Sequence, residues 1–416
     1  MQPTLLVGVD VHRKQNVFCV MDQEGQELSE RFSLDNNRPG TQELVERLAH
    51  LMQGGDYEQL QLGAEATGLY WLHFCMTLSQ DPTLNQWPLT LYAVNPRMTA
   101  NYKKSFSDLD KSDGIDAFVV ADRLRMGRGL PHPFIYDERY LPLRFLTRHR
   151  YHLVHTLAQE KAYCLAMLYL TASEYTRRDV KPFSNVFGAA SRAVLQEFAS
   201  LEEIAALPFD ELVEFIDVKG KRRFPDPTDN ARRLQQVALD SYPLPEPFQA
   251  PIQLVLNMSL QHISHLERQE KRLNSAIAEQ MASLPQTLDT IPGIGPVFAA
   301  GILAEIGDIA RYHFDQAKVA KYAGFKWRQS QSADFKADET PLARTGNRFL
   351  RYYFCEAANI ARMHDADYRA YYERKFREVR KHAHKRALVL TARKLVRLVV
   401  RLLTTNQPYR PRRATA

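Results

Sequence analysis

At 416 residues the chain exceeds one typical domain, and with 45 % apolar and 25 % charged residues it reads as an ordinary soluble globular protein of two or three domains. Four widely spaced cysteines, Cys19, Cys75, Cys164 and Cys355, form no Cys-x-x-Cys pair, which argues against a disulfide framework or a zinc site and fits a reducing cytoplasm. The net charge of +7 is uneven: from Pro341 onward 19 Lys/Arg face 5 Asp/Glu, an excess of 14, so the preceding residues sum to −7 and the C-terminal quarter is the nucleic-acid candidate.

The first apolar run has no basic lead and no small-residue cleavage site and breaks at Asp10, so no signal peptide is expected. Residues 5–12, 15–22 and 28–35 read as short strands joined by turns, the second turn holding Asp22-Gln23-Glu24-Gly25, and together they predict an antiparallel meander. A helix over 41–53, a strand over 60–66, a helix over 69–79, a strand over 89–95 and an acidic helix over 113–126 follow. Strands leading into alternating helices predict an α/β domain with a mixed sheet of the ribonuclease H kind.

Four carboxylates stand out in this region. Asp10 closes the apolar run Leu5-Leu6-Val7-Gly8-Val9, and Glu65 closes Leu60-Gln61-Leu62-Gly63-Ala64, which puts both at the ends of buried strands. Asp113 and Asp116, in Lys111-Ser112-Asp113-Gly114-Ile115-Asp116-Ala117, are three apart and project from one helix face. Such a set suits a pair of Mg²⁺ ions, each polarising one oxygen of a phosphodiester under in-line attack, and so suggests nucleic-acid cutting. Each acid also has a plainer reading: Asp10 as a turn cap, Glu65 as a solvated strand end, and the aspartates as an acidic helix start beside Asp108 and Asp110. Their conjunction favours the metal site.

From Arg139 to Ala172 the pattern is helical, with Leu146, Leu153, Leu157, Cys164 and Leu168 on one face. Leu256, Ile263, Leu266, Leu273, Ile277 and Met281 form a second stripe, and the two helices either pair as an antiparallel coiled coil that dimerises or form the core of a single bundle. Between them, Phe224-Pro225-Asp226-Pro227 and Tyr242-Pro243-Leu244-Pro245-Glu246-Pro247 mark loops around shorter helices.

The last third opens at Leu288-Asp289-Thr290-Ile291-Pro292-Gly293-Ile294-Gly295-Pro296, ahead of an apolar helix over 297–306. Gly293 and Gly295 permit a tight turn between helices whose backbone N–H groups face a phosphate, or a plain interhelical turn. In the basic tract beyond, Phe349, Tyr352, Tyr353, Tyr368, Tyr371, Tyr372 and Phe376 are interleaved with cations and are candidates for stacking on bases. His364, Asp365 and Asp367, and His382 with His384, read as polar helix faces rather than a second metal site. The apolar stretch from Ala387 to Leu403 is interrupted by Arg393, Lys394, Arg397 and Arg401, so no membrane span is expected.

Read together, Gly8-Val9-Asp10-Val11-His12, Glu65-Ala66-Thr67-Gly68, Lys111-x-Asp113-x-x-Asp116-Ala117, the Ile291-to-Gly295 turn and Arg344-Thr345-Gly346-Asn347-x-x-Leu350-Arg351 resemble the DEDD transposases of the IS110 insertion-sequence family over nearly the whole chain, least in 173–249. The resemblance implies a RuvC-like catalytic domain over 1–138, a helical coiled-coil dimerisation segment over 139–285 and a C-terminal, mainly α transposase domain over 286–416. It implies a site-specific DNA recombinase of the bacterial cytoplasm or nucleoid, working as a dimer or tetramer on donor and target DNA. A structured noncoding bridge RNA would choose both sites by base pairing.

The family also carries a serine nucleophile after an Ala-Gly-Leu-x-Pro segment. Here Ala323-Gly324-Phe325-Lys326-Trp327 leads to Gln331-Ser332-Ala333, so Ser332 takes that place, with Trp327 where the family has Pro and Ala333 where it has Gly; Ser330 is the alternative. By this resemblance Asp10, Glu65, Asp113 and Asp116 hold Mg²⁺ or Mn²⁺ on the scissile phosphate, and Ser332 attacks it to give a phosphoserine-linked DNA end. Gly293, Gly295, Arg344, Asn347, Arg348 and Arg351 are the implied nucleic-acid contacts, Arg344 and Arg351 as bidentate phosphate ligands or members of a basic face. Since the carboxylates and the serine lie on separate domains, a composite site shared between subunits is expected. The rival readings are a RuvC-like nuclease that uses water, and a nonenzymatic nucleic-acid-binding protein.

Overall fold

The computed structural model describes residues 3–106, 112–198, 200–327, 331–332, 335–336, 342–343 and 345–411. The chain divides between Glu138 and Arg139 into two compact units.

The first unit is built on β1 (Thr4–Val11), β2 (Gln15–Met21), β3 (Phe32–Asp35), α1 (Arg38–Gly54), β4 (Gln59–Glu65), α2 (Tyr70–Gln80), β5 (Leu89–Val94), α3 (Pro96–Lys103) and α4 (Asp113–Met126). The five strands form one sheet in the order β3-β2-β1-β4-β5. The meander β1-β2-β3 is antiparallel, whereas β4 and β5 run parallel to β1. This is the mixed α/β sheet of the ribonuclease H and RuvC kind.

Period-two alternation divides β1 between two cores. Leu5, Val7, Val9 and Val11 join Leu60, Leu62 and Ala64 of β4 beneath α1 and α2. Leu6 belongs to the opposite core with Ala117, Ala121 and Leu124 of α4. Each fully buried Val or Leu contributes about 1.5–3 kcal/mol, so shifting β1 by one residue would be prohibitive. That register fixes which face Asp10 occupies.

Two departures from the sequence reading concern the extent of one strand and the presence of one further helix. The strand expected over 28–35 narrows to Phe32–Asp35; ahead of it Glu27 forms an isolated bridge with Met21, the Leu28 N–H donates to the Val20 carbonyl at 3.0 Å, and Glu27 and Arg31 close an i,i+4 ion pair at 2.6 Å. The helix α3 was not anticipated, although its signal is local: Asn95 accepts from the Arg97 N–H at 2.9 Å as N-cap, and Pro96 opens the helix.

The second unit takes in both the segment 139–285 and the segment 286–416, and its buried residues form two core clusters, one within 153–266 and one mainly within 277–402. Its long helices, α5 (Leu141–Thr171) and α10 (Glu246–Ala282), flank four shorter ones, α6 (Ala189–Glu197), α7 (Leu201–Ala206), α8 (Phe209–Lys219) and α9 (Pro227–Asp240). α5 and α10 run antiparallel: Arg150 bonds Asn274 at 2.7 Å and Glu270 at 3.0 Å, while Lys161, further along, pairs with Glu267 at 2.8 Å. Within one chain the two apolar stripes pack on each other; Leu153, Leu157, Cys164, Leu168, Leu256, Ile263 and Leu266 share a core with the short helices, whereas Leu146, Ile277 and Met281 join the core of the C-terminal helices.

After α10 come α11 (Pro296–Ile306), α12 (Gln316–Tyr322), the two-residue strands β6 (Gln331–Ser332) and β7 (Phe335–Lys336), α13 (Arg348–His364), α14 (Ala366–Arg377) and α15 (Ala383–Thr405). α11 is buried from Ala299 to Ile306, and a methyl group on Gly301 would fall 2.2 Å from the Tyr353 ring of α13. Among the described residues no helix is long and apolar enough to cross a membrane.

Candidate active site

The site in the first unit begins with two glycines. Gly8 of β1 and Gly63 of β4 are register partners, and both face α4. A methyl group on Gly8 would lie 2.1 Å from the Ala117 carbonyl oxygen, and one on Gly63 would lie 2.9 Å from Val120. Their bare main chains, Gly8 met by Ala117 and Ala121 and Gly63 by Val120 and Leu124, let α4 settle directly on the sheet. Two residues further along the same faces stand Asp10 and Glu65. Ser112 caps α4 by accepting from the Ile115 N–H at 3.3 Å, and Asp113 and Asp116 occupy its first turn, where the helix dipole favours negative charge.

Asp10 is 8 % exposed. Burial raises its carboxyl pKa above the usual carboxylate range; His12 opposes this, and the charges of Asp116 and Asp113 add to it. Glu65 is shifted the same way, first by burial and then by the Asp10 charge, with the hydroxyls of Thr99 and Thr67 opposing. Asp10 thus lies within the influence of Asp113 and Asp116, and Glu65 within that of Asp10 and Asp116. Of the four only Asp10 is buried, Glu65 and Asp116 being half-buried and Asp113 exposed; a buried carboxylate beside other anions lacks compensation from water, and a bound cation relieves both its burial and the repulsion.

Two cationic or imidazole groups already attend the cluster. His12 Nε2 lies 3.1 Å from Asp10 Oδ2 and 3.5 Å from Asp113 Oδ2. Lys103, at the end of α3, donates to Asp116 Oδ1 at 2.7 Å. Among the described residues, Asp10, His12 and Asp113 form the one group whose ligand atoms all come within 4.8 Å of each other. The sequence reading assigned no role to His12 or Lys103. A histidine two residues after a strand-end aspartate was the available signal for the first; the second depended on recognising α3.

The C-terminal candidates occupy a different kind of place. Gly293 has φ +82°, a left-handed conformation that suits glycine, and a methyl group there would meet Ile360 at 2.6 Å. The turn therefore packs against α13, while Gly295 at the start of α11 faces open space. Asn347 caps α13 by accepting from the N–H groups of Phe349 and Leu350, and its amide donates to Glu305 Oε2 at 2.6 Å and to Tyr322 Oη at 3.0 Å. Glu305 is fully buried and takes a two-pronged bond from Arg148 at 2.6 and 2.9 Å. Arg351 donates to the carbonyls of Ala323 at 3.1 Å and Thr345 at 2.7 Å. Asn347 thus ties the start of α13 to the Glu305 and Tyr322 side chains, and Arg351 ties α13 to the main chain at Ala323 and Thr345. Arg348 is exposed, its guanidinium 4.9 Å from the Phe349 ring and 5.9 Å from that of Tyr151.

Ser332 lies in β6, paired with Phe335 of β7, and its side chain falls outside the described set. Ser330 and Arg344 lie outside the described residues altogether. Of the aromatic candidates, Tyr353, Tyr368 and Tyr372 are core residues rather than free rings; the Tyr353 hydroxyl donates to the Thr147 carbonyl at 2.7 Å. Phe349, Tyr352 and Tyr371 are half-buried and Phe376 is exposed. Asp365 is engaged as the cap of α14 and accepts from the Tyr409 hydroxyl at 2.8 Å.

Comparison with known proteins bears on the same regions. Residues 7–172, which contain all four acids, match a family model described as transposase, that of the DEDD enzymes of IS110 elements. Residues 285–373 match the model of the transposase IS116/IS110/IS902 family. The chain is also similar to the insertion element IS116 uncharacterized 44.8 kDa protein of Streptomyces clavuligerus, at 24 % identity over 318 residues, which cover 76 % of this chain and 75 % of that one.

Proposed function

The chain belongs to the IS116/IS110/IS902 family of insertion-sequence transposases, enzymes that act on DNA, and from that premise we propose that it exchanges DNA strands through a covalent serine intermediate. The observation that supports this most is the convergence of Asp10, Glu65, Asp113 and Asp116 at the ends of β1 and β4 and the start of α4. Their oxygen donors fit a hard divalent ion, Mg²⁺ or Mn²⁺. When bound, such an ion polarises the scissile phosphate and neutralises charge developing in the transition state.

The remaining roles fall to the chain's own groups. Ser332, or Ser330 in its stead, gives up its hydroxyl proton and forms a P–O bond, while the strand's P–O bond breaks and the departing sugar oxygen takes up a proton. One phosphodiester replaces another, so the joining step needs no nucleotide hydrolysis. Gly293, Gly295, Arg344 and Arg348 contact phosphates, whereas Asn347 and Arg351 shape the segment that carries the serine. The segment 139–285 serves oligomerisation, to a dimer or tetramer, and 286–416 serves DNA handling and nucleophilic attack. A structured bridge RNA supplies site choice by pairing with donor and target DNA. The reaction takes place in the cytoplasm, where the DNA is.

The test is a denaturing assay for protein attached to DNA, with full-length protein, the element's RNA, donor and target DNA and Mg²⁺. An adduct that is lost in Ser332→Ala and kept in Ser330→Ala supports the proposal. Cleavage without any adduct would make the protein a nuclease that uses water, and neither product would leave nucleic-acid binding alone.

A further inference from the structure

We propose that His12 is a nitrogen ligand of the metal centre and that it biases the site toward Mn²⁺ over Mg²⁺. This rests on the metal-site reading above and adds to it a donor of different chemistry.

His12 follows the last residue of β1, and its main chain is held on both sides. Its N–H donates to the Gln15 carbonyl at 3.1 Å, and its own carbonyl accepts from Asn36 Nδ2 at 2.8 Å. Asn36 is itself anchored to the Tyr70 carbonyl at 3.2 Å. The imidazole is thereby presented to the carboxylates, with Nε2 in reach of both Asp10 and Asp113. Asp116 meanwhile is engaged by Lys103. The most compact donor group is consequently not four carboxylates but two carboxylates and an imidazole, Asp10, Asp113 and His12.

That composition matters because Mg²⁺ favours oxygen donors and sheds water reluctantly, whereas imidazole nitrogen is a good ligand for first-row transition ions. A histidine in the first coordination sphere therefore raises Mn²⁺ affinity while adding little for Mg²⁺. A histidine that merely hydrogen-bonds Asp10 would leave the preference between the two ions unchanged.

The deciding experiment is spectroscopic. Full-length protein is titrated with Mn²⁺, free ion is followed by its electron paramagnetic resonance signal, Mg²⁺ is used as competitor, and the bound ion is examined by electron spin-echo modulation for coupling to ¹⁴N. The wild type should show nitrogen modulation. His12→Ala should lose it and bind Mn²⁺ about tenfold more weakly, with Mg²⁺ affinity changed less than about twofold. Nitrogen modulation absent from the wild type, or retained in a folded His12→Ala protein, would overturn the assignment. Asp10→Asn separates the two claims: if it binds Mn²⁺ as tightly as the wild type, the metal-site reading itself fails.

Discussion

Gly8 and Ala117 are in main-chain contact across the sheet–helix interface, with only 2.1 Å between the Ala117 carbonyl oxygen and the place where a side chain on Gly8 would begin. This approach sets the height of α4 over the sheet, and with it the distance from Asp10 to Asp113 and Asp116. Gly8→Ala inserts a methyl group into backbone that has no rotamer by which to yield. The expected cost is at least about 1–3 kcal/mol in the first unit. Gly295→Ala, where nothing lies within 4 Å, serves as the mild control. Hydrogen exchange of the β1 and β4 amides reads the difference, and equal protection in the two variants would contradict the packing argument.

Asp10→Asn keeps the shape of a buried side chain and removes its charge. DNA cleavage should fall by more than about a hundredfold, as expected when charge aimed at a reacting phosphate is lost. Binding of DNA through the basic C-terminal quarter should persist. The variant should also lose stabilisation by divalent ion, which for the wild type reaches about 2.7 kcal/mol when the ion exceeds its Kd a hundredfold. Thermal melts with and without Mg²⁺ or Mn²⁺ measure this, and an ion-dependent rise in Asp10→Asn equal to that of the wild type would count against Asp10 as a ligand.

Asn347 separates architecture from phosphate contact. Its side chain caps α13 and donates to the fully buried Glu305. Asn347→Ala removes a cap worth about 1 kcal/mol and one donor to a buried charge, for a combined loss of about 2–3 kcal/mol. Asn347→Asp retains capping ability yet sets a carboxylate against Glu305, and should be the more damaging of the two. Chemical denaturation ranks them; an Asp variant as stable as the wild type would mean that the cap alone matters. A site whose main duty was to contact phosphate would instead show lost DNA affinity with unchanged stability.

The sequence made the first unit readable because burial and periodicity are local there. Asp10 and Glu65 end apolar runs whose alternation fixes their face, and Asp113 and Asp116 open a helix with a serine cap. What brings the four together was not legible in that form: Gly8 and Gly63 are partners only through parallel pairing of strands about fifty residues apart, a register that neither strand encodes alone. Lys103 stayed hidden for the same reason, because it reaches Asp116 through tertiary packing of α3. In the second unit, Asn347 and Arg351 look like exposed polar residues in a basic stretch. Their partners, Glu305, Tyr322, Ala323 and Thr345, lie up to 42 residues away along the chain.

The raised carboxyl groups give a pH dependence of definite sign. In the unfolded chain Asp10 and Glu65 titrate at their ordinary values of 3.8 and 4.5, and in the folded unit burial holds both higher. Below the unfolded values both states are protonated and the groups cost nothing. As pH rises, the unfolded state releases its protons first, so the folded state loses relative stability until pH passes the folded values. Without divalent ion, the double variant Asp10→Asn/Glu65→Gln should therefore match the wild type near about pH 3.5 and exceed it increasingly up to neutral pH, where the gap levels off. Exchange protection of β1 and β4 amides, followed in chelator across that range, measures it. Parallel pH profiles for the two proteins would mean that the carboxylates are already compensated without metal, and the electrostatic case for a cation at this site would lose its basis.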